Sequence, residues 1–131
     1  MIASLWFLAA RVIWAIAWSI ASPAAFGFVA GATSCATSAL LGYWLGGKIL
    51  DPMATASAGG AAVRGIGVNL ATTFVALPIS VLILSVASGT LDRISGSIVL
   101  SMFFTLAGIP IHTLIGAAAG AGLFMVFRRK T

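Results

Sequence analysis

Residues 98–127 read IVLSMFFTLAGIPIHTLIGAAAGAGLFMVF, an apolar run without a single charged side chain. At a rise of about 1.5 Å per residue, a helix of this length exceeds the ~30 Å hydrocarbon core of a bilayer. The run ends at Arg128-Arg129-Lys130, and basic clusters of this kind commonly follow a membrane span. The stretch therefore predicts a transmembrane helix, against which the rest of the chain must pack.

Small and polar residues recur every three or four positions along this helix and so share one narrow face. They are Ser101, Thr105, Gly108, His112, Gly116, Ala119 and Gly120. Bulky side chains such as Phe103 and Leu114 cover the remaining faces. Because small residues mark the places where membrane helices touch each other, this face is predicted to contact other helices rather than lipid.

The composition of the whole chain supports a membrane protein. Its 131 residues are 61% hydrophobic and only 7% charged, and the mean hydropathy is +1.17. Soluble domains carry roughly 25% charged residues, so this chain has too few charged residues to cover its surface in water. We predict an all-α polytopic membrane protein, a single domain formed by a bundle of four transmembrane helices with short loops. The predicted spans are residues 2–21, 24–50, 65–88 and 97–127.

The second predicted helix carries its own stripe of small residues, which predicts close helix packing. The stripe consists of Gly27, Gly31, Ser34, Ser38 and Gly42. A third small-residue face follows in residues 65–88. We therefore expect the second, third and fourth helices to pack against one another, with the bulkier first helix at the periphery. The alanine- and glycine-rich segment 52–64 is predicted to be a loop.

The distribution of charge predicts the orientation of the chain. With a cytoplasmic N-terminus, the inside holds Lys48, Arg64 and the C-terminal basic cluster, against Arg93 outside. The positive-inside rule strongly favours this arrangement, with both termini in the cytoplasm and the chain in the cell membrane. The net charge of +5 is explained by these topology signals, so we expect no nucleic-acid partner.

Arg11 is the most unusual residue, because a charge near the middle of the first span is costly. The chain has only two acidic residues, and both are predicted at helix ends. Arg11 could reach the interface, or stack on Trp14 and Trp18, which share its helix face. The alternatives are an acidic residue of a partner subunit, an anionic lipid headgroup or a permeating anion.

His112 and Asn69 are the other polar residues expected within the spans. A lone histidine in a membrane could ligate a haem or chlorin, relay protons, or form an interhelical hydrogen bond. We favour the hydrogen bond and expect no bound cofactor and no metal. Asn69 is likewise interpreted as an interhelical hydrogen-bonding residue.

Catalysis has little support in this sequence, since it shows no carboxylate pair and no cluster of metal ligands. We therefore expect a non-enzymatic protein. The favoured hypothesis is an interaction or assembly subunit, whose partners are the lipid bilayer and other membrane subunits or copies of itself. The alternative is a small oligomeric channel or transporter for an anion or an uncharged solute. Its pathway would be lined by His112, Thr105, Asn69 and Ser80.

Overall fold

The computed structural model describes residues 1–21 and 24–128, without the side chains of residues 18, 19, 21 and 24–27. Every regular element in these ranges is helical, as predicted. The helices are α1 (Ile2–Ala21), α2 (Ala24–Leu41), a π-helical turn (Gly42–Gly46), α3 (Gly47–Leu50), α4 (Ala58–Ser88), a 3₁₀ turn (Leu91–Arg93), α5 (Ile94–Ala107) and α6 (Ile109–Arg128).

Among the described residues, three helical stretches are long and apolar enough to cross a membrane. They are Phe28–Leu50, Ala58–Ser88 and Ile109–Arg128, with mean hydropathies of 1.2, 2.2 and 1.7. The apolar part of α1 that the structure describes, Ile2–Ala17, is shorter. A membrane bundle is therefore plausible by length and composition.

The segment 52–64 is a loop only in its first half, so that prediction is wrong for the second half. Helix α4 begins at Ala58, after Ser57 adopts an extended backbone and accepts a hydrogen bond from the amide of Gly60 at 3.1 Å. A serine at this position satisfies one of the unpaired amides of the first helical turn. Alanine favours the helix that follows, and this offsets the cost of Gly59 and Gly60.

The predicted fourth span, residues 97–127, is divided at Gly108 into α5 and α6. Pro110 explains the interruption, because it has no amide hydrogen to donate to the carbonyl four residues earlier. Proline is well tolerated in the first turn of a helix, which is where α6 places it. With 14 residues, α5 is about 21 Å long and too short to cross a bilayer alone.

Helices α4 and α6 pack so closely that their backbones touch. A Cβ atom added to Gly116 would lie 2.7 Å from the carbonyl oxygen of Gly65. A Cβ atom on Gly120 would overlap the carbonyl oxygen of Ala61. The small-residue face predicted for α6 is therefore a helix contact, and its partner is the N-terminal half of α4.

The stripe on α2 faces α1, which differs from the predicted packing. Cβ atoms added to Gly31 and Gly42 would lie 3.3 Å from the Cβ of Ala15 and 3.1 Å from that of Phe7. The hydroxyl of Ser38 also donates to the carbonyl of Phe7 at 3.2 Å. The contacts of Gly27 lie outside the part of the chain that the structure describes.

Helix α1 is accordingly not peripheral. The indole of Trp6 donates to the carbonyl of Ala119 in α6 at 2.9 Å, and its ring meets the edge of Phe127. The buried apolar core lies at this end of the bundle. It consists of Ala3, Phe7, Ile49, Ala61, Val68 and Leu123.

Candidate functional site

The guanidinium group of Arg11 lies inside the bundle and is held by three neutral side chains. Its Nε donates to the hydroxyl of Ser34 on α2. Nη1 donates to Oδ1 of Asn69 at 2.9 Å, and Nη2 donates to the hydroxyl of Thr73 at 2.8 Å, both on α4. The residue is only 4% exposed. Arg11 is therefore enclosed by the bundle, and its guanidinium is held by neutral hydrogen-bond acceptors.

Asn69 extends the contacts of Arg11 to a fourth helix. Its Nδ2 donates to the backbone carbonyl of His112 on α6 at 2.7 Å. The amide thus accepts from α1 and donates to α6 while it is itself anchored on α4. Asn69 therefore forms hydrogen bonds to two other helices, and one of its partners is Arg11.

The positive charge of Arg11 has hydrogen bonds but no counter-charge among the described residues. The two acidic residues, Asp51 and Asp92, lie at helix ends, and Asp92 pairs with Arg93 at 3.9 Å. A guanidinium has five N–H groups. Three of those on Arg11 donate to described side chains, which leaves two without an acceptor in the described part of the chain.

A cavity of about 510 Å³ adjoins Arg11. It lies between all five of the longer helices, α1, α2, α4, α5 and α6. Most of the wall is apolar, with Trp14, Leu77, Val81, Phe104 and Ile111 among its members. Polar groups concentrate around the arginine, where Ser34, Thr73 and His112 also line the cavity.

The imidazole of His112 is also 93% buried, and its ring lies 5.3 Å from that of Trp14, edge to face. Nδ1 has no hydrogen-bond partner among the described residues. Nδ1 therefore does not form the interhelical hydrogen bond that was predicted for this side chain. A different interhelical bond exists at this residue, in which the backbone carbonyl of His112 accepts from Asn69. A buried polar atom without a partner is uncommon and calls for an explanation.

The two ends of the cavity differ in the exposure of their lining residues. Arg11 and His112 are buried at one end, which we call the closed end, whereas Ser97 and Leu100 are exposed at the other. The cavity also meets the surface of the bundle along its side, at Phe104 and Ile111. Beyond the closed end come the tight contact of α4 with α6 and the apolar core. Along α4 the cavity extends from Thr73 to Val81, which corresponds to about 12 Å.

Of the candidate partner and pathway residues, Arg11, Trp14, Thr105 and His112 line this cavity. Asn69 lies behind Arg11 and supports it. Ser80 does not line the cavity, and its buried hydroxyl donates to the carbonyl of Ala76 in its own helix at 2.7 Å. The side chain of Trp18 lies outside the described residues. Gly108 contributes to the cavity wall next to the ring of His112.

Two hydrogen-bond partners of Arg11, Ser34 and Thr73, are not identified as its partners by the sequence. Thr73 had no assigned role, and Ser34 was assigned only to helix packing. A sequence signal for Thr73 does exist, because it lies four residues after Asn69 and therefore on the same face of α4. No sequence signal connects either residue to Arg11, since the separations are 23 and 62 positions.

The described residues contain no group of three or more histidine, cysteine or acidic side chains that could hold a metal ion. Comparison with known proteins gives no match to a family model, to a curated protein or to a solved structure. The candidate site therefore has to be interpreted from its own chemistry.

Proposed function

We propose that this chain is a small membrane protein of the channel or transporter class that binds an anionic solute in the cavity beside Arg11. The observation that carries the proposal is the arginine itself, which is buried at the closed end of a cavity with no acidic residue in its wall. An uncompensated charge in a low-dielectric environment is costly, and an anion bound beside it would reduce that cost.

The interruption between α5 and α6 is further support. In many secondary transporters the substrate site lies near the middle of the membrane, where a helix is discontinuous. Here Gly108 separates α5 from α6, lines the cavity and contacts the ring of His112. The closed half of the bundle then corresponds to the barrier that a transporter must open on the other side.

The orientation is part of the same proposal. We place four spans in the cell membrane, formed by α1, by α2 with α3, by α4, and by α5 with α6. Both termini and the loop of residues 51–57 are then cytoplasmic, because Lys48, Arg64 and Arg128 lie at that end. The cavity opens towards the opposite side.

Stabilisation by ligands tests this function. Purified protein would be heated with a panel of anions, with and without apolar chains, and with their uncharged counterparts. We expect at least one anion to raise the unfolding temperature, since a ligand that binds only the folded state stabilises it. The anion with the largest effect would then be tested for flux into proteoliposomes.

A variant with a filled cavity provides the matched comparison. Ser101 is buried in the cavity wall, and its hydroxyl donates only to the carbonyl of Ile98 in its own helix. Ser101→Leu should abolish both the stabilisation and the flux. Ser95→Leu, on the exposed surface of the same helix, should retain them. If no anion stabilises the wild type more than Ser101→Leu, the proposed function is wrong.

An assembly role is the second proposal, and the position of α5 favours it. In the described part of the chain, α5 packs mainly against α4, with fewer contacts to α6 and to the 3₁₀ turn Leu91–Arg93, and its aromatic pair Phe103 and Phe104 is exposed. A second copy or another membrane subunit could cover this surface. Mass measurement of the detergent-solubilised protein should then show an oligomer that Phe103→Ala weakens, whereas Leu114→Ala on α6 does not. A monomer in both cases would contradict this role.

A further inference from the structure

We propose that the ligand of the cavity is an amphiphile, with a singly charged oxyanion headgroup on one apolar chain. This inference rests on the proposed function and specifies its substrate class. It follows from the way in which polar and apolar groups are separated along the cavity.

The hydrogen-bond donors that remain available lie at the closed end. Arg11 retains two N–H groups without acceptors in the described residues. The imidazole of His112 lies at the same end. Carboxylate, sulfonate and phosphodiester oxygens all suit a guanidinium, because each accepts charge-assisted hydrogen bonds.

Three hydroxyl hydrogens in the wall are already engaged, those of Thr73, Ser101 and Thr105. Ser101 donates to the carbonyl of Ile98 at 2.8 Å, and Thr105 donates to the carbonyl of Ser101 at 2.9 Å. Thr73 donates to the carbonyl of Asn69 at 3.0 Å. These hydroxyl hydrogens are therefore not available to replace the hydration shell of a small anion, whose loss is expensive.

The remaining wall suits an apolar chain. From Trp14 and Leu77 near the arginine to Val81, Leu100 and Phe104 towards the opening, the cavity presents hydrocarbon and aromatic surface. Burial of apolar area stabilises a ligand by roughly 25 cal/mol per Å². A headgroup at Arg11 would thus direct its chain towards the exposed end at Leu100.

The charge and the volume limit the ligand further. One guanidinium balances one negative charge, which favours a monoanion over a polyphosphate. A volume of about 510 Å³ lies within the ~300–1,000 Å³ range of sites that enclose a single small molecule. A free single-chain amphiphile could be enclosed, whereas a phospholipid would leave part of its two chains outside. A free amphiphile and an anionic phospholipid would both present a singly charged oxyanion to Arg11.

Binding of three probes to the full-length protein in phosphatidylcholine nanodiscs separates the contribution of the charged headgroup from that of the apolar chain. The probes are dodecanesulfonate, dodecanol with a chain of the same length but no charge, and methanesulfonate with the same headgroup but no chain. Binding is measured with radiolabelled probe and corrected for protein-free nanodiscs. We expect dodecanesulfonate to bind about tenfold or more tightly than either comparison molecule.

Variants then locate the site. Arg11→Gln should reduce the affinity for dodecanesulfonate to that for dodecanol. Ser101→Leu should abolish binding of both, which keeps the inference testable if Arg11→Gln fails to fold. Lys48→Gln, which removes an exposed charge at the opposite end of the bundle, and Ser95→Leu should bind like the wild type. Equal binding by the wild type and Arg11→Gln would overturn the inference.

Methanesulfonate binding as tight as that of dodecanesulfonate would also overturn the inference, yet it would leave the proposed anion-binding function intact. Nanodiscs that contain phosphatidylglycerol identify the source of the headgroup. Undiminished dodecanesulfonate binding would support a free single-chain amphiphile. Competition by this lipid would mean that the headgroup belongs to a phospholipid, and it would overturn the single-chain part of the inference.

Discussion

Arg11 and Asn69 form the central polar pair of the molecule, and their energetic coupling can be measured. Asn69→Leu removes an acceptor from a buried charge and a donor from the carbonyl of His112. We expect it to lower the free energy of unfolding by about 3 kcal/mol, because hydrogen bonds to charged groups are the strongest ones. Reversible unfolding in mixed detergents measures this loss.

A double-mutant cycle then isolates the pair. The double variant Arg11→Leu/Asn69→Leu should lose clearly less free energy of unfolding than the two single variants lose together. The reason is that Asn69 has no buried charge to stabilise once Arg11 is replaced. Thr72→Val is the matched control, because this buried hydroxyl donates only to the carbonyl of Val68 in its own helix. Additive effects of Arg11→Leu and Asn69→Leu would mean that the two residues act independently.

The unusual character of Arg11 can be predicted from sequence, but its environment cannot. A charge in the first span is conspicuous, and so is the absence of an acid to neutralise it. The acceptors, however, are serine, asparagine and threonine, which are common in membrane helices and carry no individual signal. Only the tertiary packing, in which α1 and α4 both lie against α2, brings them within 3 Å of the guanidinium.

At the scale of the helices, α4 offers two glycines that differ only in what they face. A Cβ atom on Gly65 would overlap the carbonyl oxygen of Gly116 and lie 2.7 Å from the Cα of Gly120. A Cβ atom on Gly67 would meet nothing within 4 Å. Gly65→Ala should therefore destabilise the protein by about 3 kcal/mol through overpacking.

Gly67→Ala should be neutral or stabilise the helix by up to about 1 kcal/mol, because alanine is the better helix former. The temperature at which each variant unfolds in detergent provides the comparison. Similar behaviour of Gly65→Ala and Gly67→Ala would contradict the close contact of α4 with α6.

The helices themselves were predictable to different degrees. Apolar length identified the helical stretches, and the small-residue face of α6 identified a helix contact. The start of α4 is not predicted, because the alanine- and glycine-rich composition of segment 52–64 is typical of a loop. The hydrogen bond between the Ser57 side chain and the amide of Gly60 nevertheless allows a helix to begin at Ala58. The partner of the α2 stripe was also missed, since small residues show where a close contact occurs but not which helix makes it.

For the molecule as a whole, the orientation of the bundle is open to direct measurement. Single cysteines would be introduced at Met53 and Ser95 in a Cys35→Ser background, since both positions are exposed. A membrane-impermeant maleimide should label Ser95→Cys in intact cells. It should label Met53→Cys only after the cells are permeabilised. Labelling of Met53→Cys in intact cells would reverse the proposed topology and place the cavity opening in the cytoplasm.

The cytoplasmic end in this orientation is held together by its own basic residues. Arg64 donates to the carbonyl of Ala54 at 2.9 Å, and Arg128 donates to the carbonyl of Thr55. The hydroxyl of Thr55 donates in turn to the carbonyl of Lys48 at 2.8 Å. The loop of residues 51–57 is thus tied to α3, α4 and α6, which restrains the closed end of the bundle.

The distance along the chain between Arg11 and its acceptors has a consequence for biosynthesis. Asn69 follows Arg11 by 58 residues, and a ribosome that adds about 5–20 residues per second needs on the order of 3–12 s to reach it. During that interval the guanidinium of Arg11 lacks the hydrogen-bond acceptors that α4 provides in the folded protein. In the proposed four-span topology, the nascent first helix should therefore be retained beside the insertion machinery, and not released into lipid, until α4 has been synthesised.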